Sequence, residues 1–181
     1  MIARMYHQGI IERCCAEMNR EISKHTIYVS LSKSMLYHYE NWYLSDSHII
    51  SYSRNPISQQ KNSFGTPLGL HEVAEKYGDN LPLGTILKGR VSIHRTYFDL
   101  DLSEQTGHIT SRILRLAGLQ SGFNQGGNCD SYERYIYIHG TSSEELIGQR
   151  ISKGCLLMKN RDVIELYDVI PTGSLVMIAM D

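Results

Sequence analysis

The chain has 181 residues, 41% of them hydrophobic and 20% charged, with a formal net charge of -1. That size suits one domain with a sizeable core, and the charge balance supplies no field that would recruit nucleic acid or an anionic membrane surface. Of the four cysteines, Cys14 and Cys15 are neighbours, and no CxxC or His/Cys ligand spacing occurs, which argues against a disulfide framework and against a metal site. No apolar run approaches the roughly 20 residues that cross a bilayer, and charges interrupt the N-terminal segment throughout, so no export signal is visible.

Along the chain, Tyr6, Ile10, Cys14, Met18 and Ile22 recur every four residues with Ile11 and Cys15 beside them. This spacing predicts an amphipathic helix within residues 1–25, packed on a body spanning 26–181. From Thr26 the period changes. TIYVSL, MLYHYE and HIISYS are short, β-branched and aromatic, and separated by polar turn residues, as strands are. Asn55 to Gly65 reads as a loop, and further strands are expected around Gly69 to Ala74, Thr85 to Ile93, Ile109 to Leu116 and Arg134 to His139. Asn160 has the character of a helix N-cap, and the apolar face of Val163, Ile164, Leu166 and Tyr167 ends at Pro171 and Gly173, ahead of a final strand SLVMIAM. The expected fold is mainly β, a sandwich or barrel of short strands with one helix at each end.

Within this pattern RYIYIH is predicted to deliver His139 at a strand end, with Tyr135, Tyr137 and His139 on one face and Ile136 and Ile138 on the other. Gly154 lets the backbone before Cys155 approach a ligand closely. Such a pair performs acyl transfer: imidazole takes the thiol proton, thiolate attacks an amide carbonyl, and an amine or water resolves the thioester. Backbone N–H groups of Lys153, Gly154 and Cys155 would stabilise the oxyanion. The residues alone leave a second reading open, in which Cys155 is an inert buried thiol. His71 has a strand-end core histidine as its alternative. Arg112, Arg115 and Arg134 are candidates to pair substrate carboxylates, Arg112 first, against ordinary pairing with Glu. Gly126 and Gly127 lack the Lys-Ser/Thr of a phosphate loop, and Cys14, Cys15 and Cys129 read as structural.

Taken together, SFGTPLGLHEV (63–73), KGR (88–90), ITSRILRLAGLQ (109–120), NQGGNCDSYERYIYIHGT (124–141), IGQRISKGCLLM (147–158), NRDVIELYD (160–168) and PTGSLVMI (171–178) resemble the L,D-transpeptidase catalytic domain, also called the YkuD domain. The resemblance runs from about Thr26 to Ile178 and implies sandwich-like mixed β-sheets. It implies a cysteine, Cys155, that attacks the amide before the terminal D-alanine of a peptidoglycan stem, with His139 as base and the Gly140 carbonyl orienting the imidazole. It also places Ser152 and His71 near the substrate, requires no cofactor, and makes carbapenem-type inhibitors expected ligands. Two positions depart from the family's pattern: Lys153 stands where it writes histidine, and Leu157 where it writes arginine or asparagine. The departures keep open hydrolysis of the same bond, as an L,D-carboxypeptidase or amidase would perform, and a catalytically silent peptidoglycan-binding relative. Family chemistry implies the periplasm or cell surface, whereas the absence of a visible leader leaves a cytoplasmic location open.

Overall fold

A computed structural model describes residues 2–181. Helix α1 (Ile2–Glu17) precedes strands β1 (His25–Ser30), β2 (Met35–Glu40), β3 (Tyr43–Ile49), β4 (Tyr52–Ser53), β5 (Gly69–Tyr77), β6 (Thr85–Lys88), β7 (Val91–Thr96), β8 (Ile109–Gly118), β9 (Tyr137–Thr141), β10 (Arg150–Ser152) and β11 (Leu156–Met158). Helix α2 (Asn160–Val169) and β12 (Leu175–Ala179) complete the chain. The main sheet is ten-stranded and runs β11-β9-β8-β5-β12-β1-β2-β3, with β6 branching from β8 and β7 added to β6; β4 and β10 form a small second sheet. Only β1 with β12 and β9 with β11 pair in parallel within the large sheet, so it is mixed.

Period-2 alternation sends the two faces of the sheet into two cores. Ile27 and Val29 of β1, Val176 and Ile178 of β12, and Ile138, Leu156 and Met158 point toward Val163, Leu166 and Tyr167 of α2. Tyr52 of the small sheet and Ile50 just before it close the same core, which makes the architecture sandwich-like. The opposite face sends Tyr28, Tyr39, Leu70, Leu175 and Met177 against Ile11 and Cys15 of α1. Coverage on both faces explains why β1, with polar residues at only its two ends, is buried along nearly its whole length.

Four local expectations are corrected. The fully buried residues of α1 are His7, Ile11 and Cys15, with Ile10 and Cys14, and Met18 just past the helix, partly buried beside them as expected, whereas Tyr6 is exposed and Ile22 lies beyond the helix end and exposed. His7 turns inward with one ring nitrogen satisfied: Nδ1 pairs with the Tyr39 hydroxyl at 2.7 Å and the ring stacks on Tyr28 with centroids 3.7 Å apart, while Nε2 has no hydrogen-bond partner among the described residues. The stretch Thr85 to Ile93 is two strands, since Gly89 and Arg90, at φ 55° and 71°, form a two-residue turn of the type that joins hairpins. β9 begins at Tyr137 rather than Arg134: the preceding turn is closed by Arg134 N–H donating to Asp130 O and Tyr135 N–H to Tyr132 O, with Tyr135 left-handed at φ 56°. Asn160 is the first helical residue rather than the cap, and its buried side chain serves the network described below.

Candidate active site

Strands β9 and β11 bring the predicted pair together. Their parallel register sets Leu156 beside Ile138, Leu157 beside His139 and Met158 beside Gly140. Side chains of paired residues share a face, so Ile138, Leu156 and Met158 fill the core while Tyr137, His139 and Leu157 occupy the other side. Cys155, one residue before β11, packs in the cluster of Tyr137, Ile113 and Leu87 on that second side. His139 and Cys155 are therefore diagonal neighbours on one face, delivered by adjacent strands.

The imidazole is fixed from behind. His139 Nδ1 lies 2.8 Å from its neighbour's carbonyl, Gly140 O. A carbonyl oxygen only accepts, so Nδ1 carries the proton and Nε2 holds a lone pair. Burial of the ring, which is 5% exposed, pulls its pKa down from 6.5 to about 4, so the histidine is neutral at ordinary pH. Gly140 has no room for a side chain: a Cβ there would stand 2.6 Å from Thr110 O and 2.7 Å from Asn160 Oδ1. Asn160 is itself the hub that locks β8, β9 and α2. Its Oδ1 accepts from Thr110 Oγ1 and Ser111 Oγ, both at 2.6 Å, and its Nδ2 donates to Thr141 O at 2.9 Å and Glu144 Oε1 at 2.8 Å.

The thiol sits at the end of a tight loop. Ser152 Oγ donates to Cys155 O at 2.6 Å and accepts from Gly154 N–H at 3.2 Å, and Gly154 adopts φ 123°. The Ser152 hydroxyl thus shapes the loop, and the Gly154 amide points into that turn. Lys153 is exposed. Cys155 Sγ donates to Tyr135 O at 3.4 Å. Burial raises its pKa from 9.0 to about 11, against the pull of the Tyr137 backbone amide and the Arg134 guanidinium. At rest, then, the thiol and the imidazole are both neutral, and the thiol's hydrogen bond goes to Tyr135 O.

A cleft of about 250 Å³, lined by residues that include Lys61, Phe64, Arg134, Tyr135 and Lys153 but neither Cys155 nor His139, lies next to the thiol's turn and shares with it Tyr135, whose carbonyl accepts from Cys155 Sγ. Its wall is the loop 54–66, which Arg134 holds with four hydrogen bonds. Nη1 donates to Ser58 O (3.1 Å) and Gln59 O (2.8 Å), and Nη2 to Gly65 O (2.6 Å) and Ser63 Oγ (3.4 Å).

The other candidates lie elsewhere. His71 is fully buried, with Nδ1 3.0 Å from Gly69 O and Nε2 2.9 Å from Ser131 Oγ, and burial lowers its pKa to about 4. It fastens β5 to the turn before β9. Arg112 is buried away from the cleft, its Nη1 bonded to Leu81 O and Ser111 O, both at 2.9 Å. Arg115 does pair with Glu75, at 2.9 Å. Sequence reasoning passed over Lys61 and treated Arg134 as one surface cation among several; the polar loop and the turn that place them carry no periodic signal. Among the described residues no group of three or more His, Cys, Asp or Glu side chains is arranged to hold a metal ion.

Comparison with known proteins agrees with this architecture. Over 60 residues the chain is 42% identical to the Bacillus subtilis (strain 168) protein YkuD, assigned to the L,D-transpeptidases, a match covering 30% of this chain and 37% of that protein. A second Bacillus subtilis protein of the same assignment, YqjB, is 46% identical over 48 residues, 26% of this chain and 27% of its own length. The matched segments thus span between about a quarter and little more than a third of these relatives. An Enterococcus faecium L,D-transpeptidase superposes with a TM-score of 0.54 at 14% identity, covering 87% of this chain and 50% of that one. L,D-transpeptidase 3 from Mycobacterium tuberculosis, solved with a faropenem-derived adduct, gives 0.53 at 13% identity over 87% of this chain and 60% of that one. Residues 24–178 match the L,D-transpeptidase catalytic domain, YkuD, and the chain belongs to that family.

Proposed function

We propose that this protein is a cysteine acyltransferase that cross-links peptidoglycan stem peptides through a thioester on Cys155, with His139 as general base. The observation that carries the reading is the hydrogen bond from His139 Nδ1 to Gly140 O, which leaves the Nε2 lone pair on the face shared with Cys155. Because burial holds the imidazole near pKa 4 and the thiol near 11, no thiolate–imidazolium pair forms at rest. Proton transfer accompanies attack instead: Sγ bonds to the amide carbon as its proton passes to Nε2, and the imidazolium then protonates the departing amine of D-alanine. Backbone N–H groups of Lys153 and Cys155 are the available oxyanion donors, since that of Gly154 donates to Ser152 Oγ. The amine of a second stem attacks the thioester and regenerates the thiol. The corresponding location is the periplasm or cell surface, and carbapenems should acylate the same sulfur.

Leu157 favours weighing a second outcome. It stands beside His139 in the ladder where the family pattern has a polar residue, so that face offers one group fewer to hold an acceptor, and water would then resolve the thioester. Incubation with purified muropeptides separates the outcomes: dimers mark transpeptidation, shortened monomers mark hydrolysis, and unchanged tetrapeptides with the wild-type protein would refute both. Alkylation by iodoacetamide tests the protonation scheme. Its rate should climb continuously from pH 7 toward 11, and a plateau below pH 7 would mean a resting ion pair.

A further inference from the structure

We propose that the cleft beside Cys155 is a carboxylate subsite, in which Lys61 and Lys153 together hold a free carboxylate of the donor peptide. This rests on the acyl-transfer reading and adds to it the charge that the donor must carry. The cleft is lined by three cations, Lys61, Arg134 and Lys153, against a single carboxylate, Glu133. The chain as a whole has a formal charge of -1, so this positive excess is local.

The three cations are not equivalent. Arg134 directs four N–H groups of its two Nη atoms at the loop it fastens, so its fork is turned away from any ligand and it contributes field alone. Lys61 and Lys153 are exposed, and neither forms an ion pair among the described residues. Their ammonium groups are therefore the donors left for a ligand, while their backbones are held. Lys61 N–H donates to Asn128 O at 2.6 Å within the loop that Arg134 tethers, and Lys153 sits in the turn that Ser152 Oγ closes. Two fixed loops thus present mobile cations to one concavity, which suits a carboxylate whose exact position varies among peptides.

The chemistry of the donor supplies the anion. When Cys155 attacks an amide whose leaving group is a terminal amino acid, the carboxylate of that residue lies one residue from the scissile bond, and Lys153 lies two residues from the nucleophile. A carboxylate within the stem is the second source of the same charge. Partial exposure means the interaction is screened by salt.

The test uses Cys155→Ala protein, which binds without reacting, and calorimetry with four tetrapeptides: the free acid, its C-terminal amide, the peptide with internal carboxylates amidated, and the fully amidated form. The expected result is about tenfold tighter binding of whichever peptides keep the recognised carboxylate, weakening as salt rises, with the terminal amide distinguishing the leaving residue from an internal source. Adding Lys61→Gln and Lys153→Gln should abolish the discrimination while the circular dichroism melt stays unchanged. Equal affinity for all four peptides, or discrimination that survives both substitutions, overturns the subsite. A wild-type protein that binds selectively yet forms no thioester would refute acyl transfer and leave the subsite standing.

Discussion

Replacing Arg134 by methionine keeps most of the half-buried stem and removes the head that fastens the loop 54–66. Four hydrogen bonds disappear, three of them to the carbonyls of Ser58, Gln59 and Gly65 and one to Ser63 Oγ. A hydrogen bond from a charged donor is worth about 1.5–3 kcal/mol net, but bonds sharing one guanidinium are not additive and the freed carbonyls regain water, so the expected loss is about 2–4 kcal/mol. Urea denaturation followed by circular dichroism reads it as a lower midpoint at similar slope. A second consequence has its own sign. The Arg134 cation pulls the Cys155 pKa down, so its removal pushes the thiol further up and slows alkylation at any fixed pH below 11. Arg134→Lys separates the two effects, keeping the charge without the planar fork: most of the alkylation rate should return and little of the stability. A loss below about 1 kcal/mol in Arg134→Met, with unchanged alkylation, would refute the view that this residue builds the cleft wall.

Acid should destabilise the fold through two histidines. His71 and His139 are held neutral with pKa about 4, below the ordinary 6.5, so between those values the unfolded chain binds more protons. Stability is complete above pH about 6.5, falls as pH drops, and levels near 4, by up to roughly 3 kcal/mol for each group. Denaturation midpoints across pH 4–7 check this, and His71→Gln should reduce the slope, to which buried His7 and His38, also held below 6.5, contribute with the same sign; an unchanged slope counts against it. Asn160→Ala leaves two hydroxyls, a carbonyl and a carboxylate without their partner and should cost about 2–4 kcal/mol. Since the same network flanks Gly140, donor turnover should fall more than stability alone requires, and a fully active, destabilised Asn160→Ala protein would show that the network does not position His139.

Much of the fold was legible because alternation is a local property. Ile136 and Ile138 face the core as their spacing implies, and Tyr137 with His139 face the other way. The stripe of α1 lacked His7 because that residue is polar, and only the Tyr28 and Tyr39 rings that receive it reveal it as an inward residue. The hairpin at Gly89 and Arg90 was hidden because arginine gives no turn signal, although it adopts φ 71°. At the site, alternation in RYIYIH and a glycine-preceded cysteine left an inert thiol open and the family resemblance singled out His139 and Cys155, which the register of β9 and β11 sets on one face. Lys61 was missed and Arg134 was read as a substrate cation rather than a loop fastener, because the contacts that define their roles are distant in sequence, Arg134 fastening a loop some seventy residues upstream. Arg112 was favoured on charge alone, and charge does not tell whether a guanidinium faces substrate or, as here, the carbonyls of Leu81 and Ser111.

The central claim is that Cys155 accepts the acyl group of a stem peptide. Intact-protein mass spectrometry after brief incubation with a purified tetrapeptide donor measures this directly. The account predicts a gain equal to the donor minus D-alanine, located at Cys155, discharged by hydroxylamine and absent from Cys155→Ala. A protein that releases D-alanine with no such adduct, or a Cys155→Ala variant that keeps its activity, would contradict it.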